Sequence, residues 1–187
     1  MESENVKSGA DLRLKETIRI IMGRRSVRKF EPRQVEPEKT RIILECGFAA
    51  PSAKNIRPCH LVLIDDPALL KKIGESTTEA RMVTGAPLAI AVCVDAARYE
   101  RESSADGTWI EDASCAMMNM LLAARTLGLE GVWLQILNRP ARDVAISPLL
   151  SLPEGVKILA ISVLGYPDAE KPPYSGVDEE RLHTNGW

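Results

Sequence analysis

Three arginines and a serine stand within five residues, Arg24-Arg25-Ser26-Val27-Arg28, just after a glycine. A doubly charged phosphate needs guanidinium forks and N–H donors from a turn, and this segment can supply both. The same cluster has a second meaning, because cations near a helix C-terminus favour the macrodipole by ~0.3–1 kcal/mol. Charge alone leaves both readings open. A second segment, Pro51-Ser52-Ala53-Lys54-Asn55-Ile56-Arg57-Pro58, has small residues that let a flat ligand approach the backbone. Asn55 offers a donor and an acceptor to the edge of a ring, although a plain turn-rich loop has the same composition. The third feature is Asn119, in the middle of a strongly apolar stretch. A buried amide needs partners, either across a dimer seam or in a core network.

Other chemistries are poorly served. The chain has no Walker-A loop, no GxGxxG after a strand and no HExxH. Its two histidines, His60 and His183, lie beside no nucleophile elbow, which argues against hydrolysis. No metal site is expected. The four cysteines, Cys46, Cys59, Cys93 and Cys115, form no CxxC pair and sit among apolar residues, so free buried thiols are expected. A formal net charge of -2 gives no reason to expect nucleic acid or an anionic membrane as partner. The N-terminal stretch is polar and acidic, unlike a signal peptide, and no apolar run approaches the ~20 residues of a membrane span. A cytoplasmic protein is expected.

The elements that must position these residues follow from periodicity. One domain is expected over 1–187, with a loose tail over 1–10. Leu12, Leu14, Ile18, Ile21 and Met22 mark a helix that stops at Gly23. Pro37 opens a second helix that runs to about Ala50. Cys59–Ile64 reads as a strand, followed by short helices near Leu69–Gly74 and Glu79–Val83. Leu88–Val94 is a buried strand. The longest helix is predicted from Thr108 to Leu127, apolar nearly all round and so buried in the core or against a second subunit. Val132–Ile136 is a short strand. A helix from Pro140 towards Leu150 must bend at Pro148. Val156–Leu164 is the last strong strand, and a polar tail follows to Trp187. The polar segment Ala97–Trp109 is the available candidate for a lid.

In this order and spacing the features resemble the nitroreductase family of FMN-dependent oxidoreductases, from about Ile18 to Trp187. Arg24 to Arg28 matches an RRSxR-like phosphate loop. Pro51 to Cys59 matches a PSxxNxQPW-like loop. Asp112 to Glu130 matches a helix of the type DxxxAxxNxxLAAxxLGLG, and Ile158 to Pro167 a closing strand with a GYP turn. The resemblance implies an α+β fold: a mainly antiparallel sheet flanked by helices, in an intertwined homodimer, with residues 168–187 as an arm over the partner subunit. It implies that Arg24, Arg25 and Arg28 bind the phosphate and ribityl end of FMN, with Ser26 near the ring or ribityl. Pro51, Ser52, Ala53 and Asn55 contact the flavin, the Pro-Ser part from the opposite subunit. Leu134, Gln135 and Ile136 fall where the family brings backbone to the flavin N5 side.

Three departures stand out. Arg57 and Cys59 replace the usual glutamine and tryptophan, and Arg57 puts positive charge near the pyrimidine edge. Gln135 stands where short members often have glycine. The basic pair of the family's tail is replaced by Tyr174-Ser175-Gly176, so either Arg181 substitutes or the first loop holds the phosphate alone. The implied activity is hydride transfer from NAD(P)H through FMN to a small electron-poor acceptor such as a nitroaromatic or quinone. Two alternatives remain: a non-catalytic flavin carrier, or a specialised member acting on one metabolite, of dehalogenase or flavin-cleaving type.

Overall fold

The computed structural model describes residues 8–103 and 107–187. Helix α1 (Ser8–Gly23) leads through the arginine segment to α2 (Pro37–Phe48), whose first turn is fixed by Pro37. Strand β1 (Cys59–Ile64) and helix α3 (Pro67–Ser76) follow. The Asp66 carboxylate caps α3 by accepting from the Ala68 and Leu69 N–H groups. Then come β2 (Leu88–Asp95), α4 (Ala96–Ser103), α5 (Trp109–Thr126), β3 (Glu130–Gln135), α6 (Pro140–Ile146) and β4 (Val156–Gly165). The helix expected to run to Leu150 is interrupted as its proline requires: α6 stops at Ile146 and a 3-10 turn covers Ser147–Leu150.

The four strands form one antiparallel sheet in the order β1-β2-β4-β3. Its central strand β2 explains the layers. Leu88, Ile90, Val92 and Val94 face a core shared with α2 and α5, whereas Ala89, Ala91 and Cys93 face one shared with Ile73 of α3 and Ile146 of α6. Strand side chains alternate, so an apolar run without alternation marks a strand covered on both sides. The register slips between Val92 and Cys93, where β4 carries Leu159 as an extra residue. The freed Leu159 carbonyl accepts from both the Ile136 and Leu137 N–H groups and so turns the chain at the end of β3.

The structure corrects or refines four expectations. The loose tail was expected through residue 10, but α1 already begins at Ser8; residues 1–7 lie outside the described residues. The lid segment is mostly helix α4, whose Ala96, Tyr99 and Ser103 turn inward at helical spacing; residues 104–106 lie outside the described residues. Helix α5 buries one face, from Trp109 to Ala124, and leaves Met118 exposed on the other. For the same reason Cys115 is exposed; Cys46 and Cys59 are half-buried, and Cys93 alone is buried. All four thiols are free. Burial pushes the Cys59 thiol up to about 11 and that of Cys93 up to about 12, so neither is a thiolate at neutral pH. Among the described residues no helix is long and apolar enough to cross a membrane.

Candidate functional site

The arginine segment is an extended strip laid along the outer edge of β3. Ser26 bridges to Gly131, and the Val27 N–H donates to the Gly131 carbonyl at 3.1 Å. Gly131 also lets β3 lie close against β4, since a Cβ there would lie 2.6 Å from the Val163 carbonyl oxygen. Side chains of an extended strip alternate. Arg25 and Val27 line a cavity of about 490 Å³ beneath the tail; Arg24, Ser26 and Arg28 therefore project the other way. The guanidinium groups share this division. Arg25 donates to the Pro172 carbonyl at 2.8 Å and to the Arg24 carbonyl, and lies 5.9 Å from the Tyr174 ring centre. Arg24 makes no side-chain hydrogen bond or ion pair among the described residues, and Arg28 only a long one, 3.4 Å, to the Ser26 carbonyl. Arg24 and Arg28 are thus the cations open to an anion, whereas Arg25 is committed to the tail.

The tail brings a residue that the sequence reading missed. Lys171 donates from Nζ to the Ser26 carbonyl at 2.7 Å, which places its charge on the arginine strip. Arg181, the expected substitute, is exposed and paired with Asp178. The chain crosses its own α1 on the way: the Asp168 N–H donates to the Lys29 carbonyl, and the Tyr174 N–H to that of Met22. The tail is thus tied to its own chain as far as Tyr174.

Outward groups on β3 run from this basic end to the other. The Gly131 carbonyl receives Val27, and the Gln135 carbonyl receives the Arg142 guanidinium at 2.8 Å. Main-chain groups of alternate residues point to the same edge, so Gly131, Trp133 and Gln135 face outward and Val132 and Leu134 pair with β4. Of the three residues expected beside a ring, Leu134 is turned into the core and the Ile136 N–H is used by Leu159. Gln135 alone keeps its N–H on the open edge. Its side chain is folded away, the Oε1 accepting from Trp133 Nε1 at 2.7 Å and Nε2 donating to the Leu137 carbonyl at 3.0 Å. Four residues at ~3.4 Å each separate Gly131 from Gln135 by ~13 Å.

The loop before β1 is built differently. Lys54, Asn55 and Arg57 all have positive φ, at 51°, 56° and 53°. Left-handed backbone at two long side chains is strained and needs outside support. Asp112, buried in the first turn of α5, supplies it: both carboxylate oxygens accept from the Ala53 N–H, at 3.1 and 3.2 Å. Ser52 Oγ accepts from the Arg57 N–H, and Lys54 Nζ donates to the Ser103 carbonyl of α4. Pro51, Ala53, Asn55 and Arg57 are exposed, with Arg57 Nε donating to Asn55 Oδ1 at 2.9 Å. This loop sits at the β1 edge. Three strand spacings of ~4.8 Å part it from β3, so the two expected halves of the site do not meet within one chain.

An apolar groove of about 630 Å³ opens between α1, α2 and α5, lined by Ile20, Ile21, Ala49, Leu122 and Ala123. Asn119 also lines it, with Nδ2 donating to the Cys46 carbonyl at 3.1 Å. Ile18, Ile21, Phe48 and Met118 are exposed on the same helices.

Comparison with known proteins identifies the family. Residues 21–81 and 75–166 match the model of the Nitroreductase family. A protein of Archaeoglobus fulgidus, provisionally named an NADH dehydrogenase/NAD(P)H nitroreductase, is 36% identical over 179 residues, covering 93% of this chain and 100% of that one. A crystal structure with the same provisional name, from Bacteroides thetaiotaomicron, superposes with a TM-score of 0.84 at 34% identity, covering 92% of this chain and 98% of the other. The solved structure of an FMN-dependent nitroreductase from Clostridium difficile R20291 gives 0.82 at 32% identity, covering 91% and 99%.

Proposed function

This chain belongs to the nitroreductase family, and from that premise we propose that it is a homodimeric, FMN-dependent oxidoreductase that passes hydride from NAD(P)H to an electron-poor acceptor such as a nitroaromatic or quinone. The observation that carries the reading is the open edge of β3, with free cations at one end and an unpaired strand N–H at the other. FMN fits it. Arg24, Arg28 and Lys171 would hold the phosphate through charge-assisted bonds. The main chain at Trp133 would face the ribityl chain, and the Gln135 N–H would face the N5 edge of the ring. FMN supplies the redox chemistry, and the protein supplies position and electrostatics. No side chain is assigned as acid or base.

The same geometry supports a homodimer. A ligand on the β3 edge is out of reach of the Pro51–Arg57 loop of its own chain, so a second copy supplies that loop. The exposed apolar groups on α1, α2 and α5 form a patch that a soluble protein ordinarily covers. Residues 175–187 carry the exposed Val177, Leu182 and Trp187 and serve as the arm that reaches over the partner.

The purified protein should be yellow and dimeric. Mass spectrometry of the released cofactor should give FMN, and light scattering two chains. Bleaching by NADH or NADPH without oxygen, then recovery on adding a nitroaromatic or quinone, identifies an enzyme; a flavin that does not bleach identifies a carrier. A colourless monomer indifferent to added FMN would overturn the proposal.

A further inference from the structure

The end of β3 opposite the phosphate cations holds a charge that the reading above leaves unused. Arg142 lies in the first turn of α6, half-buried, and donates to the Gln135 carbonyl at 2.8 Å. No carboxylate comes within ion-pair distance of it among the described residues, and its neighbour Asp143 accepts instead from Ser147 Oγ. The turn that aims it is fixed, because Pro140 opens α6 and the Arg142 N–H donates to the Arg139 carbonyl at 2.9 Å. Bonded to a neutral carbonyl, the guanidinium keeps its charge available to a negative group that arrives. The Gln135 carbonyl and N–H belong to one residue on one strand edge, so the guanidinium lies within ~7 Å of that N–H.

On the reading given under Proposed function, we propose that Arg142 tunes the bound flavin: it is the cation that offsets the negative charge brought by hydride. NAD(P)H gives up two electrons and a hydrogen nucleus as hydride and becomes NAD(P)⁺. A neutral oxidised ring that takes the hydride gains one negative charge, with no proton drawn from the protein. Arg142 is not a catalytic residue, since it acts through space beside the strand. A partly solvated cation within ~10 Å of a ring seated on that N–H shifts the ratio of reduced to oxidised FMN affinity by about fivefold.

The test is a redox titration of the FMN-loaded protein. Arg142→Gln lowers the two-electron midpoint potential by about 20 mV, which is that fivefold change at about 30 mV per tenfold. Arg142→Lys restores most of the shift. Arg142→Met keeps the packing of the stem and reads the same quantity where the Gln variant does not fold. A merely structural role would lower the melting temperature and weaken both redox states of FMN equally, leaving the potential in place. An unchanged or raised potential in FMN-loaded Gln or Met variants overturns the assignment of Arg142 and leaves the FMN reading standing. A wild-type protein that takes up no FMN overturns both.

Discussion

The arginine strip and the Pro51–Arg57 loop are both irregular segments that carry polar, ligand-seeking side chains, yet they are held in opposite ways. The strip is docked by its main chain on β3 and covered by the tail, and two of its cations remain open. The loop hangs from the buried Asp112 carboxylate and a Lys54 bond to α4, in left-handed backbone, with its ligand-seeking side chains exposed at the far edge of the sheet. On the proposed reading the first region is a binding surface completed within one chain, and the second a prepared shape that meets a ligand only when another copy brings one. Strain at Lys54 and Arg57 makes sense on that view, because the loop has to present itself to a neighbour instead of settling on its own core.

The largest expected effect tests the division within the strip. Arg24→Ala or Arg28→Ala should cost ~1.5–3 kcal/mol of FMN binding, roughly 10- to 150-fold in affinity, since each removes a charge-assisted bond. Lys171→Ala should weaken binding in the same sense, and Arg181→Ala should leave it alone. Arg25→Ala should chiefly loosen the tail, read as faster proteolysis after Lys171. FMN titration that ranks Arg25 and Arg181 with Arg24 would break the side-chain alternation on which the assignment stands.

The second effect concerns the loop. Asp112→Ala leaves the Ala53 N–H without its acceptor, at a cost of ~1–3 kcal/mol. At roughly 2–4 °C per kcal/mol for a chain of this size, the melting temperature falls by several degrees. Asp112→Asn retains an acceptor and should recover much of the loss. If the comparison is right, phosphate-end affinity is affected much less than by the arginine changes, whereas the flavin absorption bands shift because the loop over the ring is disturbed. Unaltered melting in Asp112→Ala would remove Asp112 as the support.

Much of this was legible in the sequence, and the misses share a cause. The Leu88–Val94 run was readable because burial on both faces leaves no polar alternation, and the long helix α5 because its middle is so apolar. Pro148 announced its own break. Helix α4 was hidden because its three inward residues, Ala96, Tyr99 and Ser103, are spaced among arginines and glutamates. The differing fates of Arg24 and Arg25 depend on a period of two that exists only once the strip is docked on β3. Asp112, 59 residues from Ala53, and Lys171, 145 from Ser26, act at a distance that no local pattern encodes. Arg142 reaches Gln135 only because the bulge at Leu159 turns the chain between them.

A smaller effect reads the loop across the proposed interface. Arg57, exposed and tethered to Asn55, would stand over the pyrimidine edge of a flavin held by the other copy. At an effective dielectric of ~20 and ~6 Å, unit charges interact by about 3 kcal/mol; solvent and salt leave on the order of 1 kcal/mol. Arg57→Gln should therefore lower the midpoint potential by roughly 20 mV with FMN still bound. A potential that stays put or rises removes Arg57 from the chemistry.

The smallest effect returns to the strip, and it has a sign that pH can reveal. Beyond Arg28 the chain is clasped by Tyr166, which donates from its hydroxyl to Glu36 Oε2 at 2.6 Å and accepts from Lys39 Nζ at 2.7 Å, with Arg33 stacked 3.8 Å from the ring centre. The Tyr166 bond, helped by the backbone, Arg33 and Lys39, holds the Glu36 carboxyl down at about 2, against an ordinary value of 4.5. A carboxylate whose pKa is lowered on folding stabilises the fold above its unfolded value and loses that contribution as pH falls through the folded one. The clasp should thus be at full strength above about pH 5 and fade towards pH 2. Glu36→Gln removes the titration, and Tyr166→Phe returns the carboxyl towards its ordinary range. Both variants should show a flatter loss of melting temperature between pH 5 and pH 2 than the wild type. Among the described residues the loop at the other edge has no such tyrosine–carboxylate clasp, so the acid-induced difference should appear first as hydrogen exchange at Val27 and Glu31, whose N–H groups bond to Gly131 and Tyr166. Melting curves that fall in parallel for all three proteins would show that the clasp does not hold the strip in place.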